Sequence, residues 1–172
     1  MASLKPAKCF RKLDRAYTRQ SQRKPRKGYV KGVPKPKITI FEMGTKNDEY
    51  NKTLTLCSKI DVQIRHNALE AARIMCNKYL LRNVPQKSYF FKIKPYPHHI
   101  LREHSLATGA GADRFSSGMS HSFGRPKSTA ARVMKDQEIL SVSVNESQTI
   151  VAKEALKRAA VKFPCPCYVK GL

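Results

Sequence analysis

Three short stretches of this 172-residue chain carry residue types capable of chemistry. The first is His98-His99-Ile100-Leu101-Arg102-Glu103-His104, with three imidazoles and a carboxylate. His99 and His104 stand five apart, on different faces of a helix, and Pro95 and Pro97 disfavour a helix there. Zinc needs ligands that converge, so imidazoles against RNA or ordinary surface histidines fit this spacing better than a metal site. The second is Cys165-Pro166-Cys167, which has no partner pair at finger or ribbon spacing and reads as free thiols. Cys9, Cys57 and Cys76 read as small packing residues. The third is Gly109-Ala110-Gly111, the opening of a dinucleotide fingerprint. Position 114 is Arg where that fingerprint needs Gly, and no strand–helix–strand unit with a following acid supports it. A phosphate-binding Gly-Lys-Ser/Thr is absent. The 12 acids are scattered, and no Ser/His/Asp or paired-carboxylate constellation can be assembled from them. No catalytic residue, metal or cofactor is therefore expected.

The plentiful chemistry is charge. There are 34 Lys+Arg against 12 Asp+Glu, a formal net charge of +22, in a chain that is 41% hydrophobic. A self-repelling surface of this density implies a compensating polyanion and argues against an enzyme for small neutral substrates. Residues 1–37 hold thirteen cations and one acid, Asp14. Lys5, Lys8, Arg11, Lys12, Arg15, Arg19, Arg23, Lys24, Arg26, Lys27, Lys31 and Lys35 are interleaved with Phe10, Tyr17, Tyr29 and several prolines. The pattern predicts an arm that is extended alone and ordered on a partner: cations neutralise phosphates, and aromatics stack on unpaired bases. The competing readings are a solvated basic tail and, with less support because no amphipathic period is present, a membrane-surface segment. No apolar run is long enough to span a bilayer, the N-terminus does not read as a secretory signal, and the odd cysteine count suits a reducing compartment.

Such cations need a frame. Ile38–Phe41, Thr53–Cys57, Ser88–Ile93 and Ile139–Val144 read as strands, and Cys167–Val169 as a closing edge strand. Helical periods run from about Val62 to Leu81, with Leu69, Ala72, Cys76, Tyr79 and Leu80 on one face, and from about Ser147 to Phe163. The second helix buries Ala152, Ala155, Leu156, Ala159, Ala160 and Phe163. Ala68–Arg73 is echoed 84 residues later by Ala152–Lys157, which suggests two strand–helix–strand units; chance similarity of two Ala/Glu-rich helices is the other explanation. The expected fold is α+β: a single domain with a mixed or antiparallel sheet carrying two helices on one face. An arm (1–37) precedes the folded part (38–172). A long Gly-rich loop, at about 102–127, is small and polar, with Arg102, Arg114, Arg125, Lys127 and nearby Arg132 available to phosphates. An insertion without a role is the alternative reading of that loop.

Several of these stretches together resemble one family. Pro6-Ala7-Lys8-Cys9-Phe10-Arg11, Gly32-Val33-Pro34, Glu70-Ala71-Ala72-Arg73-Ile74, Gly111-Ala112-Asp113-Arg114, Phe123-Gly124-Arg125-Pro126, Thr129-Ala130-Ala131-Arg132-Val133 and Lys162-Phe163-Pro164 follow the order found in the large-subunit ribosomal proteins called L-ten-e in archaea and eukaryotes, the counterpart of bacterial L-sixteen. The likeness runs from about residue 5 to residue 164. It departs from the family at Lys8 and Phe10, where Arg and Tyr are common, and at Lys127-Ser128, where Gln-Gly is frequent. The short stretch after Pro164 is similar to archaeal members.

The resemblance implies an α/β-hammerhead-like fold and a cytoplasmic, non-catalytic constituent of the large subunit, monomeric within the ribosome. Its implied partners are large-subunit rRNA, neighbouring ribosomal proteins and tRNA in the A/P site region. It also implies that the arm cations, with Arg125, Lys127 and Arg132, face rRNA. The loop residues Arg102, His104, Gly109, Gly111, Asp113, Arg114 and Gly118 would then lie near tRNA.

Overall fold

The computed structural model describes residues 5–13, 28, 30–47, 50–85, 88–107, 109–116 and 118–171. Eight strands and two helices follow one another along them. Strands β1 (Glu42–Gly44), β2 (Lys52–Ser58), β4 (Tyr89–Ile93), β7 (Glu138–Val144) and β8 (Cys167–Gly171) form a five-stranded sheet in the order β1-β4-β7-β2-β8. Strands β3 (Val62–Arg65), β5 (His99–Glu103) and β6 (Arg125–Val133) form a second sheet in the order β3-β6-β5. Neighbouring strands are antiparallel throughout. The expected single shared sheet is thus two sheets. One α+β core holds them together, with helices α1 (His66–Asn83) and α2 (Thr149–Ala160) packed on each other. Helix α2 lies on β2, β7 and β8, while α1 lies on β3 and β6.

The core is what amphipathic spacing dictates. Leu69, Ala72, Cys76 and Leu80 of α1 meet Ala152, Ala155, Leu156 and Ala159 of α2, all buried, together with Val62, Ile64, Ala131 and Val133 from the small sheet and Phe91, Leu140 and Val142 from the large one. Alanine dominates the helix–helix seam, so the two backbones come close. Cys57 and Cys76 pack in the interior as expected, whereas Cys9 is exposed.

Four expectations shift. Ile38–Phe41 forms no ladder: Ile38 is a buried core residue, and pairing begins only at Glu42. The first helix starts at His66 rather than Val62, because Val62–Arg65 pairs with β6 as strand β3. The region between Ile93 and Val133 contains strand toward its two ends, β5 and β6, so the loop expected at about 102–127 narrows to 104–124. The two helices are not equivalent units either. Strands β7 and β8 around α2 both pair with β2, but β3 and β4 around α1 lie in different sheets.

Candidate nucleic-acid interface

Antiparallel pairing sets which side chains leave the small sheet. Its register matches Gln63 with Arg132, Arg65 with Ala130, and His99 with Ala130. Alternation puts Val62, Ile64, Ala131 and Val133 on the core side, so Gln63, Arg65, His99 and Arg132 share the opposite face. Part of this face is covered by the chain's own N-terminal segment.

Gln63, only 4% exposed, anchors it. Its Nε2 donates to the carbonyls of Phe10 (3.1 Å) and Lys12 (2.6 Å), its backbone N–H donates to the carbonyl of Arg11 (3.0 Å), and its Oε1 meets His99 Nδ1. Arg65 Nη1 donates to the Lys5 carbonyl (2.8 Å), and its guanidinium lies 5.6 Å from the Phe10 ring centre. Residues Ala7–Cys9 coil into a short 3-10 turn. Farther along, the Lys37 amide donates to His66 Nδ1 (3.0 Å). Burial, assisted by Lys37 and Arg65, pushes the His66 imidazole below its ordinary pKa, in keeping with a ring that must accept this bond. The expectation of an arm free of its own body is therefore corrected for residues 5–13: they lie on the sheet.

The anchoring groups are main-chain carbonyls, so the cationic heads stay free. Lys5, Lys8, Arg11, Lys12, Lys31 and Lys35 are exposed, as are Arg125, Lys127 and Arg132. Among the described residues the ion pairs are Lys52–Glu146, Glu70–Arg73, Glu42–Lys92, Lys94–Glu138 and Glu154–Arg158. Every one lies on the helices or around the large sheet. Lys5, Lys8, Arg11, Lys12, Lys127 and Arg132 have no carboxylate partner among the described residues. Arg15, Arg19, Arg23, Lys24, Arg26 and Lys27 fall outside the described residues.

Strand β6 adds a local device. Its register with β5 jumps from Leu101↔Ser128 to Arg102↔Pro126, so Lys127 is the extra residue of a bulge, with Pro126 beside it. A bulge turns a side chain out of strict alternation, and it also tolerates the missing N–H of proline. Arg125 and Lys127 are both exposed in consequence.

The 104–124 loop is built on the same sheet edge. Gly124 lies so close to β5 that a Cβ there would come within 2.9 Å of the Glu103 backbone. Arg102 Nη1 donates to the Gly124 carbonyl (3.1 Å) and its guanidinium lies 4.6 Å from the Phe123 ring centre. His104 Nε2 donates to the carbonyl of Gly118 (2.7 Å), whose φ of +65° suits glycine. Asp113 and Arg114 sit in a 3-10 turn, Ala112–Arg114, which follows Gly111. Gly109, Gly111, Asp113, Arg114 and Gly118 are all exposed, and so are Phe115 and Met119. Three residues expected in the loop belong elsewhere: Arg102 is in β5, and Arg125 and Lys127 are in β6.

The histidine cluster does not converge. His99 is buried against Gln63, His98 leans on Tyr96 with ring centres 4.4 Å apart, and His104 holds the loop. The cysteine pair stays as free thiols, with Cys165 and Cys167 Sγ 3.6 Å apart. The hydrogen bond from Cys167 brings the Cys165 thiol down to about 7. Sequence reasoning missed Gln63 and Arg65 as anchors. A polar residue in a strand of Val and Ile was the available signal.

Cations without a carboxylate partner among the described residues stand on the outer face of a sheet whose other face is core, an arrangement suited to a polyanion. Residues 17–170 match the family described as Ribosomal protein L16p/L10e. Relatives named large ribosomal subunit protein uL16 include those of Methanococcus maripaludis strain C7 (47% identical over 168 residues, 97% of this chain and 93% of the relative) and Archaeoglobus fulgidus (48% over 162 residues, 94% and 89%). The chain belongs to the L16p/L10e family of ribosomal proteins, and it is a ribosomal protein rather than an enzyme.

Proposed function

We propose that this chain is a structural constituent of the large ribosomal subunit that binds large-subunit rRNA through its N-terminal segment and the outer face of the small sheet. Family membership supports the setting, and one observation carries the surface. Cations of the 5–13 segment and of β6 are held on a rigid sheet with no carboxylate partner among the described residues, while the five carboxylates in ion pairs lie on the helices or around the large sheet. The mechanism is electrostatic and steric: fixed cations displace counterions from packed RNA helices, with the sheet setting their spacing. Arg15, Arg19, Arg23, Lys24, Arg26, Lys27, Lys31 and Lys35 extend the same charge along 1–37, the RNA-binding arm of the 38–172 domain.

The loop is the tRNA-facing element of this reading. Arg102, His104 and Gly124 tie its base to β5, while Gly109, Gly111, Asp113, Arg114 and Gly118 present its outer part toward tRNA near the peptidyl-transferase region. Neighbouring ribosomal proteins complete the list of partners.

The test is sedimentation of lysate through sucrose before and after a high-salt wash, with a nuclease-treated control. Stoichiometric retention with the large subunit after the wash, lost with nuclease, is expected. Release by salt, or spread over all RNA-containing fractions, refutes the reading and favours a general RNA chaperone. Subunits carrying a loop shortened between Gly109 and Gly118 should assemble but bind tRNA more weakly; unchanged tRNA affinity refutes the role of the loop.

A further inference from the structure

We propose that the cavity between the docked N-terminal segment and the base of the 104–124 loop is a nucleobase pocket, which takes one unstacked base from a single strand of RNA. This inference rests on the rRNA-binding reading and makes it more specific.

The cavity has a volume of about 490 Å³ and is lined by Cys9, Phe10, Gln63, His99, Arg102 and Phe123, among others. Such a space holds a base with part of its sugar. Two aromatic rings line it, one from the N-terminal segment and one from the loop base, and each is backed by a guanidinium: Arg65 on Phe10 and Arg102 on Phe123. Phe123 remains 68% exposed, although hydrophobic burial would favour covering it. A ring held by arginine on one side and left open elsewhere is a stacking platform. The guanidinium fixes its orientation and adds positive charge where a phosphodiester must pass. The surroundings suit a polyanion, because Lys5, Lys8, Arg11 and Lys12 all lie on the segment that supplies Phe10 and are exposed.

The floor decides what kind of recognition is possible. The Gln63 amide is already bonded to the Phe10 and Lys12 carbonyls and to His99, and His99 is buried. The Gln63 amide is thus committed, and the lining donor without a hydrogen-bond partner, Arg102 Nε, is itself buried away from the open space, so little is left to read a base edge. Recognition therefore comes from the π-face, which every base possesses, and discrimination among bases is weak.

The probe is a short single-stranded oligoribonucleotide carrying one aminopurine, the fluorescent adenine analogue, and an otherwise identical strand with an abasic site at that position. With the full chain, the fluorescence of the intact probe should be quenched on binding, and the abasic probe should bind more weakly. Phe123→Leu keeps an apolar side chain but removes the π-face. It should weaken the intact probe roughly 5- to 100-fold, leave the abasic probe unchanged, and leave the salt dependence of binding unaltered, because no phosphate contact is lost. Phe123→Tyr should restore binding. Phe10→Leu should act in the same direction, and melting curves confirm that each variant is folded.

Equal affinity of the native chain for intact and abasic probes overturns the pocket. So does a Phe123→Leu chain that binds both probes like the native protein, or that loses affinity for both alike. If the pocket alone fails, retention on the large subunit persists. If the ribosomal reading fails, that retention is lost as well.

Discussion

Replacing Gln63 by Met keeps the volume of the side chain and removes its amide, which isolates what that amide does. Two side-chain hydrogen bonds to the N-terminal segment disappear, to the Phe10 and Lys12 carbonyls, as does the contact with His99. A net hydrogen bond contributes about 0.5–1.5 kcal/mol, so docking of residues 5–13 weakens by about 1–3 kcal/mol. The population with the segment lifted off rises by roughly 5- to 150-fold. The freed carbonyls find water, so this loss is local. The body separately loses the contact between Gln63 and buried His99, about 1–3 kcal/mol for a buried polar contact. At roughly 2–4 °C per kcal/mol in a domain of this size, the melting temperature falls by several degrees. The two effects separate by amide hydrogen exchange. The backbone N–H at position 63 donates to the Arg11 carbonyl and survives the substitution, so its exchange reports directly on departure of the segment. It should accelerate together with the amides of Cys9 and Phe10, far more than amides of β7 do. RNA affinity should fall only as far as the docked fraction falls, less than the docking constant itself, while its salt slope stays the same, since the cations remain on the chain and must only be re-ordered. If the melting temperature falls but exchange at position 63 and in residues 5–13 does not change, Gln63 is a core residue and not an anchor, and the reasoning fails.

Gly124→Ala forces a Cβ against the Glu103 backbone, which cannot move aside as a side chain would. Overpacking of about 1–3 kcal/mol should lower the melting temperature by several degrees and break the Arg102–Gly124 bond, seen as faster exchange at the loop base. Arg132→Ala and Lys127→Ala should each lower the slope of log affinity against log salt on duplex rRNA by about 0.9 per lost phosphate, with melting curves unchanged. An unaltered slope removes that residue from the interface. His66, held below 6.5 mainly by burial, gives a pH signature. The unfolded chain binds a proton that the folded chain resists, so the stabilisation is complete above about 6.5 and is lost as pH falls from there toward the folded value. His66→Asn keeps an acceptor for the Lys37 amide and cannot titrate; its melting temperature should drop less between about pH 7 and about pH 5 than that of the native chain.

Much of this fold is legible where periodicity and burial coincide. The α2 face of Ala152, Ala155, Leu156 and Ala159 and the alternation of Ile139–Val144 each have one physical solution, and the structure shows both. Legibility fails where an extended backbone has two uses. Ile38–Phe41 has strand composition, but composition reports extension and not a ladder partner; Ile38 enters the core while Lys37 is held by His66. Val62–Arg65 runs into α1 with no capping side chain, since Arg65 at the N-cap makes no capping bond, so the border between strand and helix has no local mark. Strand β6 contains Pro126, which argues against a central strand; β3 pairs only with Ala130–Val133 and a bulge at Lys127 adjoins the proline, which together make it compatible. The same limit hides the anchors. Gln63 matters through carbonyls more than 50 residues away in the chain, and no local pattern encodes that.

The distribution of charge follows from how the segment is fastened. Had the body held residues 5–13 by ion pairs, each pair would have neutralised a cation that an RNA partner needs, and each would have weakened with salt. It uses neutral amide and guanidinium donors on backbone carbonyls instead: Gln63 on Phe10, Arg11 and Lys12, and Arg65 on Lys5. Docking of this kind costs no charge, and Arg65 adds one. The carboxylates, meanwhile, form their pairs on the helices and the large sheet, where the cations they neutralise are turned away from this face. Ion pairing is thus two-sided. The pairs among the described residues lie on the helices and the large sheet, which still carry a cationic excess: Lys78, Lys153, Lys157 and Lys162 have no carboxylate partner there. The docked segment and the outer face of the small sheet carry no such pair. Carboxylates moved onto the small sheet, as in Arg132→Glu, should therefore cost more RNA affinity than the same reversal at Lys153, an exposed position on α2. Equal losses at the two positions, measured as affinity for large-subunit rRNA at matched salt, would show that net charge acts without regard to place, and the two-sided electrostatic design would be wrong.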